Sequence, residues 1–345
     1  MSSVTAPGIA DHFSSLRKGA KASGCLRAGS MASGQPIALP YMIARGLEDG
    51  QCLWLNGAVH GDEINGSLAA IDFFSEIDPQ QLRGSVVVTP VSNPLGFDAR
   101  RKRVPQDEQD LDQTFPGRPD GLTSEVVAHL LFKEIDALAD TVVNFHTMMP
   151  YFASRPYAVY KDVGGAELSE EALLRAMALF GPVAACRMNV TPTGNELPGN
   201  IAGALDYQCL KRGKLAFMIE LGIGSRQEAS YIRQGVEGLR RLAAHMGLSP
   251  SNLDGESAPA GVRRVTRRTH VLCREGGLFR QGAQPGDTLP AGELLGRIHS
   301  ACGDTVEEIR FNQDVIVIGV RNDPVVHTGD RVGFVALEWD DVTFS

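Results

Sequence analysis

Three short apolar runs in this chain each deliver, at or just past their ends, a side chain able to bind a metal or move a proton. Residues 51–56 carry Cys52, Leu53, Trp54 and Leu55 and lead into Gly57-Ala58-Val59-His60-Gly61-Asp62-Glu63. Residues 141–145, with Val142 and Val143, lead to His146, and residues 215–219, with Phe217 and Ile219, lead to Glu220. Runs of this length read as buried strands. Between them the apolar spacing becomes helical, at Leu68, Ile71, Phe74 and Ile77 and again at Val127, Leu131, Ile135 and Leu138. Alternating strands and helices predict an α/β fold, a mixed sheet with helices on both faces. In such a sheet the strand ends share one edge, where sites are built.

His60 and Glu63 lie three residues apart in the turn after a strand, so both can face one point, and an imidazole with a carboxylate suits zinc. The pair alone is also compatible with a surface turn. His146, at the end of a second strand, offers a third ligand and leaves a fourth position for water; it could equally be a hydrogen-bonded histidine near the core. Glu220 closes an otherwise apolar strand, an expensive place for a carboxylate without a role. It is the candidate for the proton transfers that amide hydrolysis requires, the alternative being a carboxylate stabilised by backbone dipoles beside Gly222 and Gly224.

Further blocks follow in order. They are His60-Gly61-Asp62-Glu63, Asn93-Pro94-Leu95-Gly96, Asp110-Leu111-Asp112-Gln113-Thr114-Phe115-Pro116-Gly117, His146 and Ile219-Glu220-Leu221-Gly222. In order and approximate spacing, over roughly residues 25–247, the chain resembles the succinylglutamate desuccinylase/aspartoacylase family, which belongs with the zinc carboxypeptidases. The resemblance implies a carboxypeptidase-like domain with one zinc ion (Zn2+) per chain on His60, Glu63 and His146. It implies an amidohydrolase that deacylates a small N-acylated amino acid or amine, with metal-bound water as nucleophile and Glu220 as general base and acid. An arginine between the two middle blocks would stabilise the oxyanion. Arg100, Arg101 and Arg103 lie there; position favours Arg103 as catalytic, with Arg101 as a substrate contact.

The chain departs from the family at Asp112-Gln113, where members usually have Asn-Arg to grip a substrate carboxylate. Glutamine cannot replace a bidentate guanidinium without losing charge. Asp112 and Gln113 are therefore expected to face a neutral or cationic substrate group, which argues against N-acetylaspartate and N-succinylglutamate. The family also places a tyrosine and a basic residue before the catalytic glutamate, for which Tyr207 and Arg212, with Lys211, are the candidates. A zinc carboxypeptidase acting on short peptides is the alternative function, weakened by the missing arginine. A catalytically silent binding protein is a further alternative, weakened by the intact ligand set and Glu220.

A length of 345 residues with 43% apolar content suits a sizeable core in two domains. Residues 1–250 are expected to form the catalytic domain, 251–261 a linker rich in small and turn-forming residues, and 262–345 an all-β module of short strands. The module resembles the small barrel-sandwich of biotin- and lipoyl-carrier domains. The chain has no lysine after Lys214, so covalent carriage is excluded, and the expected role is a wall over the cleft or an assembly surface. Arg263, Arg264, Arg267 and Arg268 either rim that cleft or form a solvated strand face. The net charge of −8 and the lack of a long basic run argue against nucleic acid, and no segment approaches the ~20 apolar residues of a membrane span. A cytoplasmic enzyme with a small-molecule partner is expected, with a homo-oligomer possible at family level. The six cysteines are widely spaced without a CxxC motif, as reduced thiols would be.

Overall fold

A computed structural model describes residues 8–161, 168–190, 200–248 and 259–344. The chain opens with α1 (Ile9–Ser15) and a hairpin of β1 (Ala20–Ser30) and β2 (Pro36–Arg45). Then follow β3 (Glu48–Asn56), α2 (Asn65–Glu76), β4 (Arg83–Thr89), α3 (Pro94–Ala99), α4 (Thr123–Leu138), β5 (Thr141–Met148), β6 (Phe152–Ser154) and β7 (Tyr157–Lys161). The α/β part closes with α5 (Glu170–Ala178), β8 (Ala185–Met188), α6 (Leu205–Leu210), β9 (Leu215–Ile223) and α7 (Ala229–His245). The strands from β10 (Gly261–Leu272) to β17 (Arg331–Thr343) run without an intervening helix: β11 (Gly277–Gln281), β12 (Thr288–Leu289), β13 (Leu294–His299), β14 (Thr305–Arg310), β15 (Val315–Arg321) and β16 (Val325–Val326).

The main sheet has the order β1-β2-β4-β3-β5-β9-β7-β8-β10-β17-β15-β12, with β6 paired to β15. Its centre, β4-β3-β5-β9, is parallel. These strands are buried on both faces, which is why they read as continuous apolar runs. Phe145 on β5 points to one face, beside Gly66 of α2 and 6.3 Å from the ring of Phe180. Asn144 points to the other, where Asp112 and the start of α6 lie. Helices thus cover both faces, as expected. Trp54 is fully buried on β3 and donates its indole N–H to Thr89 Oγ1 at 3.1 Å, so its one polar atom is satisfied.

Two of the sequence-derived strands run further than their apolar segments: β5 continues past His146 to Met148, and β9 past Glu220 to Ile223. His146 and Glu220 line a cavity from within these strands, so each strand continues past the polar residue that interrupts its apolar run. The final strands add to the sheet through β8, which pairs in parallel with β10 at Arg264↔Ala185 and Val265↔Cys186. A separate four-stranded antiparallel sheet, β14-β13-β11-β16, completes the C-terminal β region. Most of the segment expected as a linker, up to residue 258, lies outside the described residues. Among the described residues no helix is long and apolar enough to cross a membrane.

Candidate active site

β3 ends at Asn56, and the chain turns sharply through Gly57 to Glu63. Gly61 has no room for a side chain: a Cβ there would lie 2.0 Å from the Gly96 carbonyl carbon and 2.2 Å from Phe97 N. That close approach seats the turn on α3, and the Glu63 N–H donates to the His60 carbonyl at 3.1 Å. His60 and Glu63 therefore project together toward the end of β5, where His146 stands.

The two Nδ1 atoms and the Glu63 carboxylate converge. Glu63 Oε1 lies 2.8 Å from His60 Nδ1, Glu63 Oε2 lies 3.0 Å from His146 Nδ1, and the two Nδ1 atoms are 3.3 Å apart. Donors held tetrahedrally at ~2.0–2.2 Å from one zinc are about 3.4 Å apart, so the cluster needs little adjustment to hold the ion. All three residues are buried.

The far sides of both rings are also engaged. His60 Nε2 sits 2.8 Å from Asp110 Oδ1. His146 Nε2 lies 2.9 Å from Asn144 Nδ2 and 3.6 Å from Asp112 Oδ2. Asp110 caps a short 3-10 turn, Leu111–Gln113, by accepting from Asp112 N–H at 3.1 Å, which brings both aspartates behind the two imidazoles. Carboxylates behind ligand histidines fix ring orientation and tautomer. Burial opposes charge on His60, but Glu63 and Asp110 outweigh it and raise its pKa to about 10. The same imidazole, against the cost of burial, holds Glu63 and Asp110 below the usual carboxylate range. A buried cation is thus favoured between these carboxylates, which is the charge balance a divalent ion would supply.

Strand register sets the next side chains. Glu220 on β9 stands opposite His146 on β5 and opposite Tyr157 on β7. Burial raises the pKa of Glu220, and its Oε2 has no hydrogen-bond partner. Tyr157 is buried beside Glu220; burial, then that carboxylate, raises its pKa well above the ordinary value, so it keeps its hydroxyl proton. Two residues along β7, Val159 and Lys161 share its face, and Lys161 forms a buried ion pair with Asp206 at 2.8 Å.

These groups border one cavity of about 300 Å³. Asp62, Thr147, Glu220 and His270 all line it, and each has at least one buried polar side-chain atom without a partner. Orphaned polar atoms are uncommon in folded interiors, and a cluster around one space marks a place where a ligand completes the bonding.

The residues expected from sequence separate into two groups. His60, Glu63, His146, Glu220, Arg103, Asp112 and Gln113 line this cavity. Arg103 is exposed at its edge and donates to the Glu108 carbonyl at 2.7 Å. Asp112 is committed to the scaffold, its Oδ1 accepting from Asn144 Nδ2 at 2.9 Å and Leu205 N–H at 3.3 Å. Gln113 reaches Asp110 Oδ2 at 3.3 Å and accepts from Asn200 N–H at 2.9 Å. Arg101, Tyr207 and Arg212 lie elsewhere: Arg101 pairs with Glu108 at 3.2 Å and Arg212 with Asp136 at 3.3 Å, while the Tyr207 ring lies under Lys211 Nζ at 5.8 Å. Sequence reasoning missed Lys102, Asp110, Tyr157 and Lys161, and from the C-terminal strands His270 and Phe334, all of which line the cavity; of the four arginines read as a cleft rim or a solvated face, Arg268 lines it. For Asp110 a signal existed, an aspartate directly before a short turn in a motif already singled out.

Comparison with known proteins places this arrangement. The succinylglutamate desuccinylase/aspartoacylase catalytic domain matches residues 49–246. The N-alpha-acetyl-L-2,4-diaminobutyric acid deacetylase of Halomonas elongata is 24% identical over 298 residues, 86% of this chain and 84% of that one. Among solved structures, product-bound ectoine utilization protein EutE (DoeB) from Ruegeria pomeroyi superposes with a TM-score of 0.80 at 24% identity, covering 94% of this chain and 98% of that one. A succinylglutamate desuccinylase from Silicibacter sp. gives 0.78 at 21% identity, with the same coverage of both chains.

Proposed function

The chain belongs to the succinylglutamate desuccinylase/aspartoacylase family, and from that premise we propose that it is a zinc-dependent deacylase that hydrolyses the amide of a small N-acylated amino acid. One observation carries the reading: three convergent donors and the unpartnered Glu220 Oε2 face the same cavity. A metal ion alone would explain the donors, and a proton-transfer group beside it makes the site hydrolytic.

His60 Nδ1, His146 Nδ1 and the Glu63 carboxylate would hold the ion; two imidazoles and one carboxylate are a donor set of catalytic zinc. Zinc, when bound, supplies Lewis acidity that makes water more acidic and polarises a carbonyl oxygen. Asp110 and Asp112, behind the two rings, keep both Nδ1 atoms turned inward.

Glu220 takes a proton from the attacking water at Oε2 and returns it to the leaving nitrogen. Burial, by raising its pKa, brings it closer to the working pH of an acid–base group. Tyr157 stands opposite Glu220 on the neighbouring strand and, kept protonated by burial, has a hydroxyl proton to offer beside that carboxylate. Arg103 and Lys102, at the edge of the cavity, are the cations available to a developing oxyanion.

The substrate class follows from the charges near the metal ligands. Asp62 lines the cavity with an unpartnered Oδ1, Asp112 lies beyond it, and the family's arginine is replaced by Gln113. An ammonium suits that wall better than a second carboxylate. An N-acetylated diamino acid, the substrate class named for the Halomonas relative, is therefore assigned here. The test is amine release by zinc-loaded protein from N-acetylated acidic, neutral and basic amino acids. N-acetyl-L-2,4-diaminobutyrate is expected to be preferred; faster turnover of N-acetylaspartate would overturn the substrate assignment.

A further inference from the structure

Part of the cavity wall is built by the C-terminal strands, and the charged side chains they contribute, Arg268 and Arg331, are cationic. Of the four arginines between 263 and 268, three are paired outside: Arg263 with Asp341 at 3.5 Å, Arg264 with Asp340 at 2.8 Å and Arg267 with Glu338 at 2.8 Å. Arg268 turns the other way. It is 7% exposed, lines the cavity, and packs over the Phe334 ring at 5.3 Å. Among the described residues no carboxylate lies within ion-pair distance of it. A buried guanidinium without an anion is costly, so the site is incomplete as it stands.

His270, two residues along the same strand, repeats the pattern. It is 8% exposed, stacked on Phe334 with ring centroids 4.6 Å apart, and neither ring nitrogen has a partner. Burial, then Arg331 and Arg268, lower its pKa to about 3, so it stays neutral with one N–H to donate. Arg331 lines the same cavity from β17. Two guanidiniums and an imidazole therefore line the same cavity, and Phe334 stacks against two of them.

We propose that Arg268, His270 and Arg331 form a carboxylate subsite, which takes over at the C-terminal wall the charge recognition that Gln113 cannot provide. The inference rests on the deacylase reading above and adds the orientation of the substrate: carboxylate toward β10 and β17, ammonium toward Asp62, scissile amide between them beside Glu220. The carboxylate belongs either to the amino acid or to the acid end of a dicarboxylic acyl group. Both have the same chemistry, and the probes separate them.

The experiment uses zinc-loaded full-length protein, wild type, Arg268→Met and Arg331→Met. The probes are N-acetyl-L-2,4-diaminobutyrate, its decarboxylated counterpart N-acetyl-1,3-diaminopropane, and N-succinyl-1,3-diaminopropane, whose only carboxylate is on the acyl group. Wild type is expected to prefer one carboxylated probe over N-acetyl-1,3-diaminopropane, and Arg268→Met to erase that preference by about 10- to 100-fold, chiefly through KM. The preferred probe identifies which carboxylate is bound. Arg331→Met, at a less buried position, is expected to act in the same direction should Arg268→Met fail to fold. Calorimetric binding of L-2,4-diaminobutyrate against 1,3-diaminopropane reads the subsite without turnover. Turnover with an unchanged preference in both variants would overturn the subsite and leave the deacylase standing. Binding that depends on Arg268 without turnover of any probe would keep the subsite and overturn the deacylase.

Discussion

The Lys161–Asp206 pair on the cavity wall gives a prediction whose size follows from burial. Its atoms are 2.8 Å apart, with side chains 2% and 0% exposed, so neither partner can fall back on water. Asp206 also accepts the Tyr207 N–H at 3.0 Å, and Lys161 Nζ also contacts Met218 Sδ. Removing one partner strands a charge in the interior, which costs about 3–5 kcal/mol. Lys161→Met and Asp206→Leu are each expected to lose that much. Replacing both at once strands neither charge and should cost about 0.5–1.5 kcal/mol, the value of the hydrogen bond from Tyr207. The double-mutant cycle therefore closes with a large favourable coupling. Burial already raises the Asp206 pKa, so in Lys161→Met the carboxyl escapes by taking up a proton, and this variant should regain stability as pH falls. Urea unfolding of the four metal-free proteins measures the cycle. Additive losses, or single variants within about 1 kcal/mol of wild type, would refute the reasoning.

Three further outcomes follow. Glu220→Gln should bind zinc normally by metal analysis but lose about 10²–10⁴ in kcat; activity within tenfold of wild type would make Glu220 structural. In metal-free protein the His60 ring should titrate near pH 10 by NMR, because the carboxylates of Glu63 and Asp110 outweigh burial. Its contribution to metal-free stability is full below the ordinary histidine pKa of ~6.5 and is lost as pH rises toward 10; a midpoint below 7 would contradict this. Gly61→Ala forces a Cβ against the Gly96–Phe97 backbone and should weaken zinc binding at least about tenfold by displacing His60 and Glu63. Wild-type affinity would show that the turn has room.

The central strands and the His60–Glu63–His146 cluster could be read from sequence because apolar runs lead to His60, His146 and Glu220, and strand ends in a sheet of this kind meet at one edge. The short strands β7 and β8 escaped notice, being five and four residues long and without a clear period. Tyr157 and Lys161 went with them. Arg268 was hidden for a different reason. The pairing of β10 with β17 shifts register between Val265 and Arg267 and again between Arg267 and Arg268. Strict alternation from the buried Val265 would send Arg267 inward; the bulge instead turns Arg268 and His270 to the cavity. A run of four arginines cannot reveal which one a bulge selects. Tyr207 and Arg212 were drawn from family position alone, and neither Tyr207 on α6 nor Arg212 in the turn after it lines the cavity.

The most direct measurement is a zinc titration of chelator-stripped protein that follows bound metal and amine release from N-acetyl-L-2,4-diaminobutyrate together. Activity should rise in proportion to zinc and stop at one ion per chain, and His146→Ala should show neither tight binding nor turnover. Hydrolysis that survives complete removal of metal, or that persists undiminished in His146→Ala, would contradict the account.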